Sequence, residues 1–313
     1  MIMNIQQESN PISVRQNEEG SIDLLAAMRQ MYYEAKNASS YQFLICVALP
    51  ITFPLLKTFS PSNPMYLGTI TLLSILVIII NDIFEKVVRE KKEKAARYQE
   101  LFDTKVLELD WNEDLCGPKE KAMKHLRSTA LKYKKKNASL ENLKNWYPTV
   151  YSNVDIAAGR VMCQKVNTSW DSEVRNAYQK YLFILFFGSV VLLITVALVF
   201  NKTVFETLTS ILVPLFPIGY FIYKRYAGNQ NTIYQLEKVS DKAESLWERL
   251  IENSSRNLGI HSRKLQNEIY KHRSSALMVS DWFYFRNRNQ QEEDMNEIAK
   301  VVVDTYKKSK PSH

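Results

Sequence analysis

The chain has 313 residues, 41 Lys and Arg against 33 Asp and Glu, a formal net charge of +8 and 46% hydrophobic residues. That length holds one membrane domain and a modest soluble domain. Three cysteines, Cys46, Cys116 and Cys163, with no CxxC pair, exclude a disulfide framework and fit a reducing compartment.

Residues 1–40 form the first segment. Leu24, Leu25, Met28, Met31 and Tyr32 recur at helical spacing. The helix they predict lies either along a membrane interface or against a soluble domain. Residues 41–80 then hold two apolar blocks, 41–56 and 64–80, joined by a short polar turn. Pro50 and Pro54 predict a kink in the first block, because each removes a backbone donor and crowds the preceding turn. Two such blocks in succession read as a helical hairpin through a bilayer.

Residues 81–180 are too charged to cross and predict a helical insert. Residues 85–109 continue the second apolar helix outward. Gly117-Pro118 breaks the chain, and a very basic helix follows over 119–136. Trp146-Tyr147-Pro148 punctuates the next stretch. Helices are predicted over 154–166 and 171–180, the latter running into the next apolar block.

Residues 181–223 are the densest apolar stretch. YLFILFFGSVVLLITVALVF, over 181–200, carries no charge and is long enough to cross the hydrocarbon core as a helix. Asn201, Lys202 and Thr203 interrupt it, and the second half ends at Tyr223, which predicts a second hairpin. Residues 224–313 are polar again. Helices are predicted over 231–252, 263–272 and 291–307, with a break at Gly259 and an aromatic segment, ALMVSDWFYF, over 276–285.

Positive charge gathers at one side of these blocks. Arg89, Lys91, Lys92, Lys94 and Arg97 follow the first hairpin, and Lys224 and Arg225 follow the second. The opposite turns carry only Lys57 and Lys202. The positive-inside bias points both hairpins outward and leaves both termini cytoplasmic. The expected fold class is an all-α membrane protein: four transmembrane helices in two outward-pointing hairpins, and a helical cytoplasmic domain built from 81–180 and 224–313.

The sequence holds no P-loop, GxGxxG, HExxH or GxSxG motif. His125, His261, His272 and His313 have no cysteine or carboxylate at ligand spacing, so neither a metal site, a cofactor nor an enzyme is expected. Asp281 beside Trp282 is a polar anchor, a helix cap or a ligand contact. The basic stretch 119–136 suits nucleic acid, lipid or plain solvent. The blocks contain no ionisable relay of the kind proton-coupled carriers use. Thr71, Ser74, Ser189 and Thr195 inside them, with Asp82 and Glu85 at an inner mouth, are the candidate pore residues of a homo-oligomer.

Three leader motifs, Arg15-Gln16-Asn17, LAAMRQ at 25–30 and YEAK at 33–36, precede the first block. Three tail motifs, RKLQNEIY at 263–270, Arg273 and DWFY at 281–284, follow the last. Together they resemble the SMODS-associated four-transmembrane effector family, over nearly the whole chain. The resemblance implies a bacterial inner-membrane protein of an anti-phage (CBASS) system. A nucleotidyltransferase there makes a cyclic oligonucleotide, and the effector answers by breaching the membrane. It implies the bilayer, further copies of the chain and the nucleotidyltransferase system as partners, with no direct DNA or RNA binding. For the phosphates of such a ligand the chain offers Arg89, Lys124, Arg127, Arg263 and Arg273, and Trp146, Tyr270 and Trp282 for base stacking. A non-enzymatic membrane scaffold or sensor, and an ion channel unrelated to defence, are the rival readings.

Overall fold

The computed structural model describes residues 10–58, 64–167, 172–201, 203–207, 213–252, 257–279 and 288–310. Trp282 and Asp281 lie outside this set. Within it the chain is all-helical. A short α1 (Ile12–Arg15) leads into α2 (Glu19–Phe43), a π-helical turn (Leu44–Ala48) and α3 (Leu49–Thr58). Then come α4 (Pro64–Val106), α5 (Glu113–Cys116), α6 (Lys119–Met123), α7 (Leu126–Lys136) and α8 (Ile156–Val166). The last part holds α9 (Ser172–Val199), α10 (Val204–Thr207), α11 (Val213–Ile251), α12 (Leu258–Ser275) and α13 (Arg288–Ser309).

Three long helices set the architecture. The apolar sequence 64–80 and the charged sequence behind it form one helix, α4, of 43 residues. At 1.5 Å per residue it reaches roughly 65 Å, about twice the thickness of a bilayer core. α9 and α11 likewise join an apolar half to a polar half without a break.

Around the polar halves is a helical body with one core. Leu25 and Met28 of α2 meet Phe102 and Val106 of α4, Val161 and Met162 of α8, Leu246 of α11, Leu265 of α12 and Val303 of α13. Each such side chain contributes about 1.5–3 kcal/mol on burial. The stripe on α2 is thus core, so of the two places open to that helix it takes the one against the body. Closer to the apolar halves a second cluster gathers Cys46, Val77, Leu182, Ile218, Phe221, Ile222 and Val279.

Local chemistry fixes the ends of the short helices. The Asn112 side chain accepts the Leu115 amide at 3.2 Å to start α5, and Gly117, at φ 76°, ends it. The Asp155 carboxylate accepts the Ala158 amide at 3.0 Å to start α8, two residues after the predicted start. The basic helix expected over 119–136 is two helices, because His125 leaves the helical region (φ −113°, ψ 9°) between α6 and α7. Gly259 is not a break but part of the first turn of α12. Asn257, in the left-handed conformation at φ 67°, makes the turn instead.

The apolar halves face outward. Met65, Ile184 and Leu198 are 79%, 71% and 73% exposed, and Leu72, Phe187, Val191, Phe205 and Phe216 are exposed with them. So many large apolar side chains exposed along neighbouring helices are unusual on a soluble monomer. Among the described residues, Arg175–Val199 is long and apolar enough to cross a bilayer, and only 22% of its most apolar window is buried. A core helix of that composition would be mostly buried. The expected crossings at 41–56, 64–80 and 204–223 are helical where described. They adjoin or include residues outside the described set.

Candidate functional site

Two polar networks and one basic groove stand out in this frame. The first network lies inside the body, between α4 and α12. Glu100 and Asp103, both with fully buried side chains, sit three residues apart on one face of α4. Arg263, Gln266 and Arg273 face them from α12. Arg263 Nη2 donates to Glu100 Oε1 at 2.7 Å, and its Nη1 donates to the Asp110 carbonyl at 2.6 Å. Gln266 Nε2 bridges the two carboxylates, at 2.8 Å from Glu100 and 2.9 Å from Asp103. Arg273 and the Tyr147 hydroxyl both donate to Asp103. Burial pushes the Glu100 carboxyl above the ordinary range, and the guanidinium of Arg263 opposes that shift. The network is internally matched, with two carboxylates facing two guanidiniums.

The second network lies where the apolar halves meet the body. Its cations come from three different helices: Lys92 on α4, Arg175 on α9 and Arg225 on α11, all at most 7% exposed. They hold three consecutive carbonyls of the link that follows α12. Lys92 Nζ donates to Ala276 O at 2.7 Å, Arg175 Nη1 to Leu277 O at 3.2 Å and Arg225 Nη1 to Met278 O at 3.0 Å. The Leu277 amide donates to the Thr232 hydroxyl at 3.0 Å. Arg225 also donates to Ser39 and Gln42, and Gln42 donates to Asn81 at the end of the apolar part of α4. Burial lowers the Lys92 ammonium to about 8, with Arg175 the next cause and Arg225 and Arg89 adding to it, while Glu93 acts the other way.

The groove runs between α11 and α12 and has a volume of about 500 Å³. Lys242, Arg249, His261, Lys264 and Lys271 line it, outnumbering Asp241 and Glu268. Glu268 answers Lys242 at 3.2 Å and Lys271 at 3.6 Å. Arg249 Nη1 lies 3.5 Å from His261 Nε2. A smaller hollow of about 370 Å³ has the opposite character, with Asp110, Glu113 and Asp114 at its rim beside Arg263.

The model of the SMODS-associating 4TM effector domain matches residues 10–302. This chain belongs to that family. A relative of the 4TM effector described here is a probable CBASS effector molecule of Bacillus cereus strain VD146. It is 25% identical over 295 residues, which cover 91% of this chain and 95% of the relative. No solved structure matches the chain.

The residues that the sequence offered for a ligand in this 4TM effector do not meet at one place. Arg263 and Arg273 share the first network, engaged with Glu100 and Asp103. Tyr270 is buried beside Ala96 and Cys116. Trp146 is half-buried, with the Arg29 guanidinium 5.2 Å from its ring centre and Phe102 edge-on at 6.4 Å. Arg89, Lys124 and Arg127 are exposed, at three separate points of α4, the α6–α7 junction and α7. Of the pore candidates, Ser74 and Ser189 are buried, and Ser189 donates to the Leu185 carbonyl of its own helix. Thr195 is exposed and donates to Val191 O. Asp82 and Glu85 are exposed and both accept from Lys224, at 2.9 and 2.8 Å. Thr71 lies on α4, outside the side chains described.

Sequence reasoning missed Glu100, Asp103 and Gln266, and read Lys92 and Arg225 as membrane-flanking charge. Position 266 stood within the RKLQNEIY motif. There Arg263, Gln266, Tyr270 and Arg273 recur at intervals of 3, 4 and 3, one helix face, and that spacing is the signal that marks them.

Proposed function

We propose that this 4TM effector breaches the bacterial inner membrane during anti-phage defence when a cyclic oligonucleotide binds its helical body. In this reading four stretches cross the membrane as two outward hairpins, the body and both termini lie in the cytoplasm, and several copies assemble to make the lesion. The ligand comes from a partner nucleotidyltransferase. The groove between α11 and α12 takes its phosphates, with Arg249, His261, Lys264 and Lys271 as the donors and Lys242 beside them.

The observation that carries this reading is the continuity of α4, α9 and α11. Each passes from the exposed apolar belt into the body as one helix. A ligand that prefers one packing of the body therefore biases the packing of the apolar halves, which is the requirement for a population shift. α11 also forms one wall of the basic groove, so ligand would act on a helix that enters the belt. Family membership and the Bacillus relative, a probable CBASS effector molecule, support the defence setting.

Dye release from phosphatidylethanolamine/phosphatidylglycerol vesicles tests the reading. Purified full-length protein should release dye with one member of a panel of cyclic di- and trinucleotides and stay tight without it. Arg249→Glu with Lys264→Glu should raise the half-maximal ligand concentration by about tenfold or more, the effect of removing two charge-assisted contacts. Release that ignores every ligand, or an inserted preparation that never leaks, overturns the proposal.

A further inference from the structure

We propose that Lys92, Arg175 and Arg225 form a resting-state latch. By gripping the carbonyls of Ala276, Leu277 and Met278, they lock the three membrane-entering helices α4, α9 and α11 to the short non-helical strand over 276–279 that follows α12. The inference rests on the membrane-breaching reading above and adds the element that keeps the assembly shut before a signal arrives.

The geometry is specific. Three consecutive carbonyls are each held by a cation from a different long helix, at 2.7, 3.2 and 3.0 Å. The strand is held on its other edge too, through the Leu277 amide and the Thr232 hydroxyl. Val279, two per cent exposed, anchors it in the apolar cluster shared by α4, α9 and α11. One short strand thus fixes the spacing of all three helices at the level where they leave the body.

The chemistry makes the contact both tight and releasable. Burying like charges together is costly, and their hydrogen bonds to the three carbonyls offset part of that cost while the strand is in place. Burial is the main cause of the lowered Lys92 pKa, and Arg175 and Arg225 lower it further. If the strand leaves, each of the three cations loses a carbonyl acceptor, and the helices lose the one element that all three grip. The strand is also the direct continuation of α12, which forms one wall of the basic groove. Movement of α12 on binding anion would therefore pull on the latch.

The test uses full-length protein in the same vesicles, read in two ways. Lys92→Met and Arg225→Met should each release dye without any cyclic oligonucleotide, about tenfold faster than wild type. Hydrogen exchange of the peptide covering 276–279 should speed up by a similar factor. Lys92→Arg, which keeps a charged donor, should restore tightness, and this separates loss of the latch from misfolding. Faster exchange at 276–279 with vesicles still tight overturns the latch as a gate. Unchanged exchange in both Met variants overturns it as a contact. Variants that leak while the wild type answers no cyclic oligonucleotide leave the latch standing and remove the ligand assignment.

Discussion

Glu100 and Arg263 show what single residues do in this body. The carboxylate has no exposed surface and meets Arg263 and Gln266. Removing one partner of a buried ion pair leaves the other charge stranded, and that costs about 3–5 kcal/mol. Arg263→Met should therefore destabilise the detergent-solubilised protein by that amount in a chemical-denaturation experiment. Adding Glu100→Gln to it should recover part of the loss, because the stranded charge is gone. A double-mutant cycle with no coupling between 100 and 263 would contradict the network. These residues were only half legible in the sequence. Their helical spacing is plain, but Glu100 lies 163 residues from its ion-pair partner, and no local pattern connects α4 to α12. Lys92 was less legible still. It sits among Arg89, Lys91 and Lys94, and only the fold turns this one charge inward while leaving Arg89 and Lys94 exposed.

At the scale of elements, two glycines behave in opposite ways. Gly159 on α8 stands where the helix touches the N-terminal segment. A β-carbon there would meet Asn10 Nδ2 at 2.7 Å, and Ile12 Cδ1 and the Tyr151 carbonyl at 3.0 Å. Asn10 cannot move freely, since its amide already donates to the Tyr151 and Val154 carbonyls at 2.7 and 2.8 Å. Gly159→Ala should destabilise by about 1–3 kcal/mol through overpacking. Gly188, mid-way along α9, has nothing within 4 Å of its β-carbon position. Gly188→Ala should be neutral or stabilise by about 0.5–1 kcal/mol, since alanine loses less backbone freedom in a helix. Melting temperatures of the two variants in one detergent check the contrast. The helices themselves were largely legible, because apolar periodicity and capping residues are local. The mergers in α4 and α9 were legible because neither proline nor glycine stands at 81–84 or 171–181, whereas the one in α11 was not, since Gly228 lies between Tyr223 and the helix predicted from 231. The split at His125 carried no such marker, since neither proline nor glycine makes it.

For the whole molecule, the decisive property is the outward-facing apolar belt. Val191 is 62% exposed near the middle of the apolar half of α9. In water, Val191→Arg would cost almost nothing. In a bilayer, an arginine at the centre of a crossing helix costs about 2.5–3.5 kcal/mol on insertion. The variant should shift from the alkali-resistant membrane fraction toward the soluble or aggregated fraction, and an unchanged distribution would argue that α9 does not cross. The segregation of apolar and charged sequence made this belt readable from the chain alone. What the sequence withheld is how the halves are coupled, because that depends on which buried polar groups meet across helices.

The π turn at Leu44–Ala48 has a consequence of angle. Gln42, Cys46 and Pro50 are all buried and recur every four residues. On an ideal α-helix a four-residue step overshoots a full turn by about 40°, so such a row would swing away from its neighbours within two steps. The wider turn, with Leu49 bonded five residues back to Leu44, unwinds the rod at that point. It also eases the approach of Pro50, which has no amide to bond four residues back. The row therefore stays in phase across the boundary between body and belt. Held as an ordinary α-helix with every residue kept, the rod would swing Pro50 about 80° from Gln42, whereas deleting one residue within 44–48 would leave the two seven residues apart and back on one side.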